Sequence, residues 1–465
     1  MQPAATIIAK STWSTEMRAM LVLAWPMVLT NLAQNAMTAT DVLMLGWLGP
    51  DALAAGAIGT NLYFMPFIFG LGLVLAVSPV LAQEIGAFKY EVRRVRQTVR
   101  HGLWITVLIS IPIWIFLWNA KSILIATGQD PEIAAKAEIY MHTLQWATLP
   151  FFGYVVLRSF VSALERPMWA LVITVLAVGF NALANYTLIF GHFGFPAFGI
   201  RGSGMATSIS SWLMFFGLVA VIALDHKFKR YRLFGRWWRL DRKQFAHLFK
   251  LGFNIGMLLS FEVNLFAVSA LIMGTISREA VAAHIIAIQI TSLTFMVPLG
   301  ISQAATVRVG LAYGANDKAA ILKSGWTSYA LGVGFMALMS LMFLAIPEKL
   351  IGGFLTTDDP QTMAVRSLAI TFMMYAALFQ IVDGAQSVAG GMLRGLQDTK
   401  LPLIIGGIGY WVVGMPIGWM LAFHFGLGGV GIWIGLAVGL AFVAVALIWR
   451  WIVVTRRLEF SAVSP

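Results

Sequence analysis

Three carboxylates stand where a carboxylate is expensive. Asp41, Glu262 and Asp383 lie well inside long apolar runs, whereas the other acidic residues of the 20 fall in polar stretches or near the ends of such runs. A charged side chain at the centre of a membrane helix costs about 2.5–3.5 kcal/mol on insertion scales. A fault repeated three times points to a mechanism. No lysine or arginine stands near enough in sequence to be an evident ion-pair partner, so each acid must be protonated, bind a cation or face water. Burial favours the neutral form of a carboxyl group, and an acid that reversibly takes up a proton is a proton carrier. The plainer reading is that each acid only hydrogen-bonds neighbouring helices.

Helical spacing gives these acids company. Asp383, Gln386, Ser387 and Gly390 recur at i, i+3, i+4 and i+7, which places them in one stripe. Asn254, Glu262 and Ser269 fall close to one face of another run. Asn181 and Asn185 stand one turn apart with Tyr186 following, and Gln289 lies in a further apolar run. Each amide reads equally as interhelical glue, at ~0.6 kcal/mol, or as a ligand. Pro26 removes a backbone hydrogen bond inside the first apolar run and is a hinge candidate.

Absent chemistry narrows the field. There are no cysteines, which excludes disulfides, thiolate metal sites, thiol nucleophiles and iron–sulfur clusters. The seven histidines form no HExxH or other i, i+4 metal pair, and no GxxxxGK[ST] phosphate loop occurs. Asp358-Asp359 sits in a loop without the further acid that a two-metal transferase would want. The expectation is no enzyme, no cofactor and no structural metal. An ion gradient, worth about 2.3 kcal/mol per charge per 100 mV, is the energy source that fits, with H+ or a transient Na+ at Glu262 and Asp383.

The elements that must position these residues are membrane helices. The 465 residues are 59% hydrophobic and 11% charged, with a mean hydropathy of +0.82; soluble domains run at about 45–50% apolar and a quarter charged. Apolar stretches of about 20 residues or more number twelve, at roughly 18–45, 54–82, 101–120, 140–160, 167–190, 203–224, 247–274, 280–306, 323–346, 366–391, 402–424 and 429–453. An even count puts both termini on one side. With the termini inside, 26 of the 32 Lys and Arg fall on the cytoplasmic side, which the positive-inside rule requires. Nine of them crowd the stretch from Lys227 to Lys250, where Trp237 and Trp238 also lie; this loop is expected to meet anionic lipid headgroups, not nucleic acid. The stretch before Met20 lacks a cleavage pattern and reads as a retained tail.

The halves of the chain resemble each other. At an offset of 228, Ala52-Leu53-Ala54-Ala55 falls on Ala280-Val281-Ala282-Ala283, Gly72 on Gly300 and Gly86 on Gly314. At 227, Gly199, Gly202 and Gly204 fall on Gly426, Gly429 and Gly431. Two copies of six spans share orientation and imply an axis along the membrane normal, the arrangement of parallel-repeat transporters. The expected organisation is a cytoplasmic tail 1–17, an N-terminal lobe 18–224, a basic linker 225–246, a C-terminal lobe 247–453 and a cytoplasmic tail 454–465. The fold class is all-α integral membrane, with twelve helices in two six-helix bundles.

These residues resemble the multidrug and toxic compound extrusion (MATE) family, and within it the bacterial NorM-like branch. The likeness is carried by the TDVLMLGWLG run around Asp41, FEVNLFAVSALIMG around Glu262, AAHIIAIQITSLTFMVPLGISQAATVRVG, VDGAQSVAGGMLRGLQDTKLP from Val382, NALANYTLIFG and GIRGSG. It covers nearly the whole chain. It implies alternating access and export of cationic or zwitterionic amphiphilic drugs and dyes in exchange for H+ or Na+, from a bacterial inner membrane, by a monomer. By matching motifs, Asp41 with Asn181 and Asn185 would form an N-lobe polar site; Glu262 and Asp383, with Gln289 nearby, would form the C-lobe cation site. Two departures favour H+: Phe379 replaces the tyrosine one turn before the aspartate in the Na+-coupled pattern, and Ile285 replaces a glutamine after AAH. The rivals are a lipid-linked saccharide flippase, which would want arginines inside the bundle, and a membrane-embedded transferase.

Overall fold

The computed structural model describes residues 12–87, 92–235, 241–355 and 360–458. Trp237, Trp238, Asp358 and Asp359, like Lys10 and Lys89, lie outside them. The described residues are helical, with no strand among them. Among the described residues, twelve long helices follow the expected runs. They are α1 (Trp13–Leu48), α2 (Pro50–Gly86), α3 (Val92–Trp118), α4 (Pro131–Leu144 continued by Thr148–Ala163), α5 (Met168–Phe190) and α6 (Ile200–Leu224). After them come α7 (Arg242–Ile276), α8 (Arg278–Gly314), α9 (Lys318–Ala345), α10 (Pro360–Gly395), α11 (Lys400–His424) and α12 (Gly429–Arg457).

Ten of these are long and apolar enough to span a membrane by composition alone; α1 and α4 are the others. In α1 the polar residues Asn31, Gln34, Asn35, Thr38 and Asp41 dilute the apolar signal. In α4 a 3-10 turn, Gln145–Ala147, interrupts the helix. The helices also overrun their apolar stretches at polar ends, because caps there satisfy the free backbone N–H groups. Asp130 Oδ1 accepts from Glu132 N at 2.8 Å ahead of α4, Ser277 Oγ from Ala280 N at 3.0 Å ahead of α8, and Asp317 Oδ1 from Ala320 N at 2.9 Å ahead of α9.

The chain forms two compact units, and neither is a simple half. Unit 1 contains Met1–Val28, Gly86–Phe88 and Met257–Pro465; unit 2 contains Leu29–Ile85 and Lys89–Gly256. The chain therefore changes unit inside α1 and inside α7, at positions matched by the offset of 228. The paired glycines of the repeat have the same task. In unit 2, a Cβ on Gly72 would lie 2.2 Å from the Gly256 Cα, so α2 and α7 touch backbone to backbone. In unit 1, a Cβ on Gly300 would lie 2.8 Å from the Val28 N, so α8 backs onto α1.

The early parts of α1 and α7 are fastened by matched polar contacts. In unit 1, Glu16 is buried and accepts from Arg308 of α8 (Nε to Oε1, 3.0 Å, with Nη2 on Oε2) and from Ser324 Oγ of α9 at 2.7 Å. In unit 2, Gln244 is the repeat partner of Glu16. Its Nε2 donates to Glu84 Oε1 of α2 at 3.0 Å and to Thr98 Oγ1 of α3 at 2.7 Å.

Backbone conformation corrects the register of the repeat further along. Gly199 (φ 56, ψ −135) caps α6 and Gly428 (φ 54, ψ −134) caps α12, which gives an offset of 229 in place of 227. Glycine matching alone misplaced it by two residues, because a cap is defined by its positive φ and not by residue type. Likewise Glu165 (φ 57) and Gln397 (φ 59) end α4 and α10 with the same pair of turn hydrogen bonds, an offset of 232.

Each unit has an aromatic core. In unit 2, Phe67 stacks on Tyr63 and Phe152, both at 5.0 Å between centroids. In unit 1, the buried Trp433 is ringed by Phe379 at 5.5 Å, His284 at 5.4 Å and Phe372 at 6.2 Å. Beside it α11 is not a regular helix. Two π-helical stretches, Ile408–Gly414 and Met420–His424, flank Met415–Trp419. Gly431, Gly435 and Gly439 recur every fourth residue along α12, and a Cβ on Gly435 would lie 2.3 Å from the Gly418 Cα. Small residues of this kind let membrane helices approach closely.

Candidate ion-coupling sites

In unit 1, α7 carries Glu262, α10 carries Asp383 and Gln386 one turn apart, and the first π stretch of α11 brings Tyr410. Gln386 joins them. Its Nε2 donates to Glu262 Oε1 at 2.8 Å and to Asp383 Oδ1 at 3.2 Å. Its Oε1 accepts from the Tyr410 hydroxyl. That last bond fixes which end of the amide faces the acids. Asp383, Gln386 and Tyr410 are all buried. Arg394, two turns further along α10, lies within electrostatic reach of Glu262, while its Nη2 donates to Ser302 Oγ of α8 at 2.7 Å. Two carboxyl groups and one nearby guanidinium leave a net demand for one positive charge, which a proton or a monovalent cation can meet.

In unit 2, Asp41 is 6% exposed and is held by α5 and α6. Asn185 Nδ2 donates to Asp41 Oδ1 at 2.6 Å and to Asn181 Oδ1 at 3.1 Å; Thr207 Oγ1 donates to Asp41 Oδ2 at 2.7 Å. Asn185 Oδ1 is buried and accepts nothing. A cavity of about 80 Å³ opens beside the acid, lined among others by Asp41, Thr60, Tyr63, Phe64, Tyr140 and Thr207. Carboxylate, hydroxyl and aromatic groups together suit a small cation or the charged end of a larger one.

The structure thus brings Glu262 to Asp383 and Asp41 to Asn181 and Asn185. It does not bring Gln289 to them: that side chain is exposed on α8, and Gln386 supplies the amide instead. Ser269 is buried and bonded to Leu265 O of its own helix at 2.8 Å, and Asn254 belongs to unit 2 while Glu262 belongs to unit 1. Pro26 is buried in α1, two residues before that helix passes from one unit to the other. Phe379, where a tyrosine was expected for Na+, is 2% exposed and packs edge-on against Trp433, with no oxygen to offer. Among the described residues no group of three or more His, Asp or Glu could hold a metal ion.

Sequence reasoning missed Thr207 and Tyr410. Thr207 lies one turn from both Ser203 and Ser211 on α6, a polar stripe that spacing alone could have revealed. Nothing in the sequence marks Tyr410, because its placement depends on the π turns. The interior of the units does hold arginines: Arg158 and Arg308 are 9% and 5% exposed. Both lie within two turns of the C-terminal end of their helices, where the apolar runs give out and hydropathy does not separate helix from loop.

Comparison with known proteins decides the family. The MatE family model matches residues 26–187 and 255–420, one stretch in each half. The chain belongs to the MatE family. Relatives that span nearly its whole length include a probable multidrug resistance protein NorM of Mesorhizobium japonicum, 59% identical over 95% of each chain, and one of Brucella suis, 52% identical over 96% of this chain and 95% of that one. Solved structures with the same fold include MATE in complex with MaL6 (TM-score 0.87, 18% identity, covering 98% of this chain and all of that one). Another is a variant of the Vibrio cholerae MATE transporter VcmN, with a TM-score of 0.86 and 17% identity over 96% of this chain and 98% of that one. The MatE chain described here is accordingly a multi-pass, all-helical membrane protein of a transporter family.

Proposed function

We propose that this MatE protein is a secondary multidrug antiporter of a bacterial inner membrane. It exports cationic or zwitterionic amphiphiles in exchange for H+, with both termini cytoplasmic and the basic linker resting on anionic lipid. The observation that carries this reading is the Glu262–Gln386–Asp383 cluster, in which a half-buried and a buried acid share one donor. The relatives' names supply the drug. Coupling requires that ion and drug stabilise different states. In the cycle, a proton neutralises the cluster, drug affinity falls, and the drug leaves outward. The loaded carrier then turns inward, releases the proton and takes a new passenger.

H+ is favoured over Na+ for a stated reason. A sodium ion between the two acids would have to displace the Gln386 N–H donor, and neither Phe379 nor Ile285 offers a replacement oxygen. The Na+ reading keeps Asp41, Thr207 and the free Asn185 Oδ1 as its best shell. Dye efflux from proteoliposomes under an imposed pH gradient, then under a sodium gradient, separates the two. Glu262→Gln and Asp383→Asn should each abolish gradient-driven efflux while the protein remains folded. Wild-type rates in both variants would remove the assignment. Arg308 does not revive a saccharide flippase, since it is already paired with Glu16.

A further inference from the structure

Among the described residues, unit 2 contains a buried cation without a counter-charge. Arg158 of α4 is 9% exposed, and among the described residues it has no carboxylate within ion-pair distance. Its contacts are one long hydrogen bond, Nη1 to Asn31 Oδ1 of α1 at 3.5 Å, and the Tyr154 side chain, whose ring centroid lies 6.0 Å from the guanidinium carbon. Tyr154 is itself engaged with Thr174, at 2.6 Å. On α1 the donors Asn31 Nδ2 and Gln34 Nε2, one turn apart, are buried and also without partners. Asn31 is 6% exposed. Guanidinium and amides offer N–H groups, and the acceptors that Arg158 has, Asn31 Oδ1 and the Tyr154 hydroxyl, carry no charge.

The repeat shows what is missing. By the offset of 228, Gln34 occupies the position that Glu262 holds in unit 1. By the offset of 232, Arg158 sits one turn before the position matched to Arg394. In unit 1 the arginine of α10 has the carboxylate of α7 in its field. In unit 2 the arginine of α4 faces a helix on which that acid has become an amide. A buried arginine in a membrane is expected to be compensated, and the described residues supply no negative charge for it.

We infer that Arg158, with Asn31 and Gln34, is a binding site for an anionic oxygen group, and that its occupant is the carboxylate of a zwitterionic amphiphile. This rests on the proposed drug export and adds to it a basis for discriminating zwitterions from plain cations. A lipid phosphate shares the chemistry and is the competing source.

The test uses the full chain in nanodiscs and a matched pair of rhodamine dyes, one with a free carboxylate and one its methyl ester, with affinity read by fluorescence anisotropy. Arg158→Gln should weaken the acid at least tenfold relative to the ester. Arg158→Lys should keep most of the preference. Gln34→Glu, which restores a built-in acid, should depress the acid dye selectively. Equal changes for both dyes, or none, would overturn the proposal. So would an unchanged dye ratio accompanied by loss of bound phosphatidylglycerol in native mass spectra of Arg158→Gln, which would give the site to lipid. Efflux of both dyes by the wild type is measured alongside. If neither is exported yet the anisotropy ratio shifts as stated, the export reading fails and the anion site stands.

Discussion

At the scale of residues, the deciding group in unit 1 is an amide held from behind. Tyr410→Phe leaves Gln386 free to turn its carbonyl towards the acids. One lost hydrogen bond is worth about 1 kcal/mol, so the apparent affinity for the coupling ion should fall roughly fivefold, read from dye efflux against the external ion concentration. An unchanged ion dependence would mean that the amide is fixed by packing alone. Glu16 is a different kind of residue. Breaking a buried pair by removing one partner costs about 3–5 kcal/mol. Glu16→Leu should therefore lower the melting temperature in detergent sharply, and the double variant Glu16→Leu/Arg308→Met should recover most of the loss. The three acids of the coupling sites were legible in the sequence because a carboxylate in an apolar run has no cheap explanation. Glu16 was not, because its neighbours are polar and the stretch reads as a tail. Periodicity tells which residues share a face; it does not tell which neighbouring helix that face meets, and so Gln386 was seen while Tyr410 was missed.

At the scale of elements, close packing of α11 on α12 shapes the turn that presents Tyr410. Gly435→Leu would drive side-chain atoms into the backbone of Gly418 and should abolish folded protein, as size-exclusion chromatography after solubilisation would show. Gly334 of α9 has nothing within 4 Å of the position a Cβ would take. Gly334→Ala should keep the fold and raise stability by up to about 1 kcal/mol from helix propensity; a loss of stability there would mean a contact that the helix does not show. The long helices themselves were readable from hydropathy. Their irregularities were not, because a π turn and a 3-10 break depend on how two backbones meet, and composition is silent on that.

At the scale of the molecule, the duplication was visible in the sequence, but the exchange it contains was not. Sequence assigns α1 to the first copy and α7 to the second; packing gives the opening part of each to the other unit. Fragments cut in the basic linker, residues 1–240 and 241–465, should each be unstable alone and recover dye efflux when co-expressed. A stable, monodisperse single fragment would contradict the exchange. The contact between Glu16 and Arg308 spans 292 residues of chain. Ribosomes add about 5–20 residues per second, so Glu16 waits roughly a quarter of a minute to a minute for the arginine that pairs with it. During that interval Glu16 lacks the cation it pairs with, and an unpaired carboxylate is costly to bury. The packing of α1 therefore cannot be completed until α8 has been made, however early its own residues emerge.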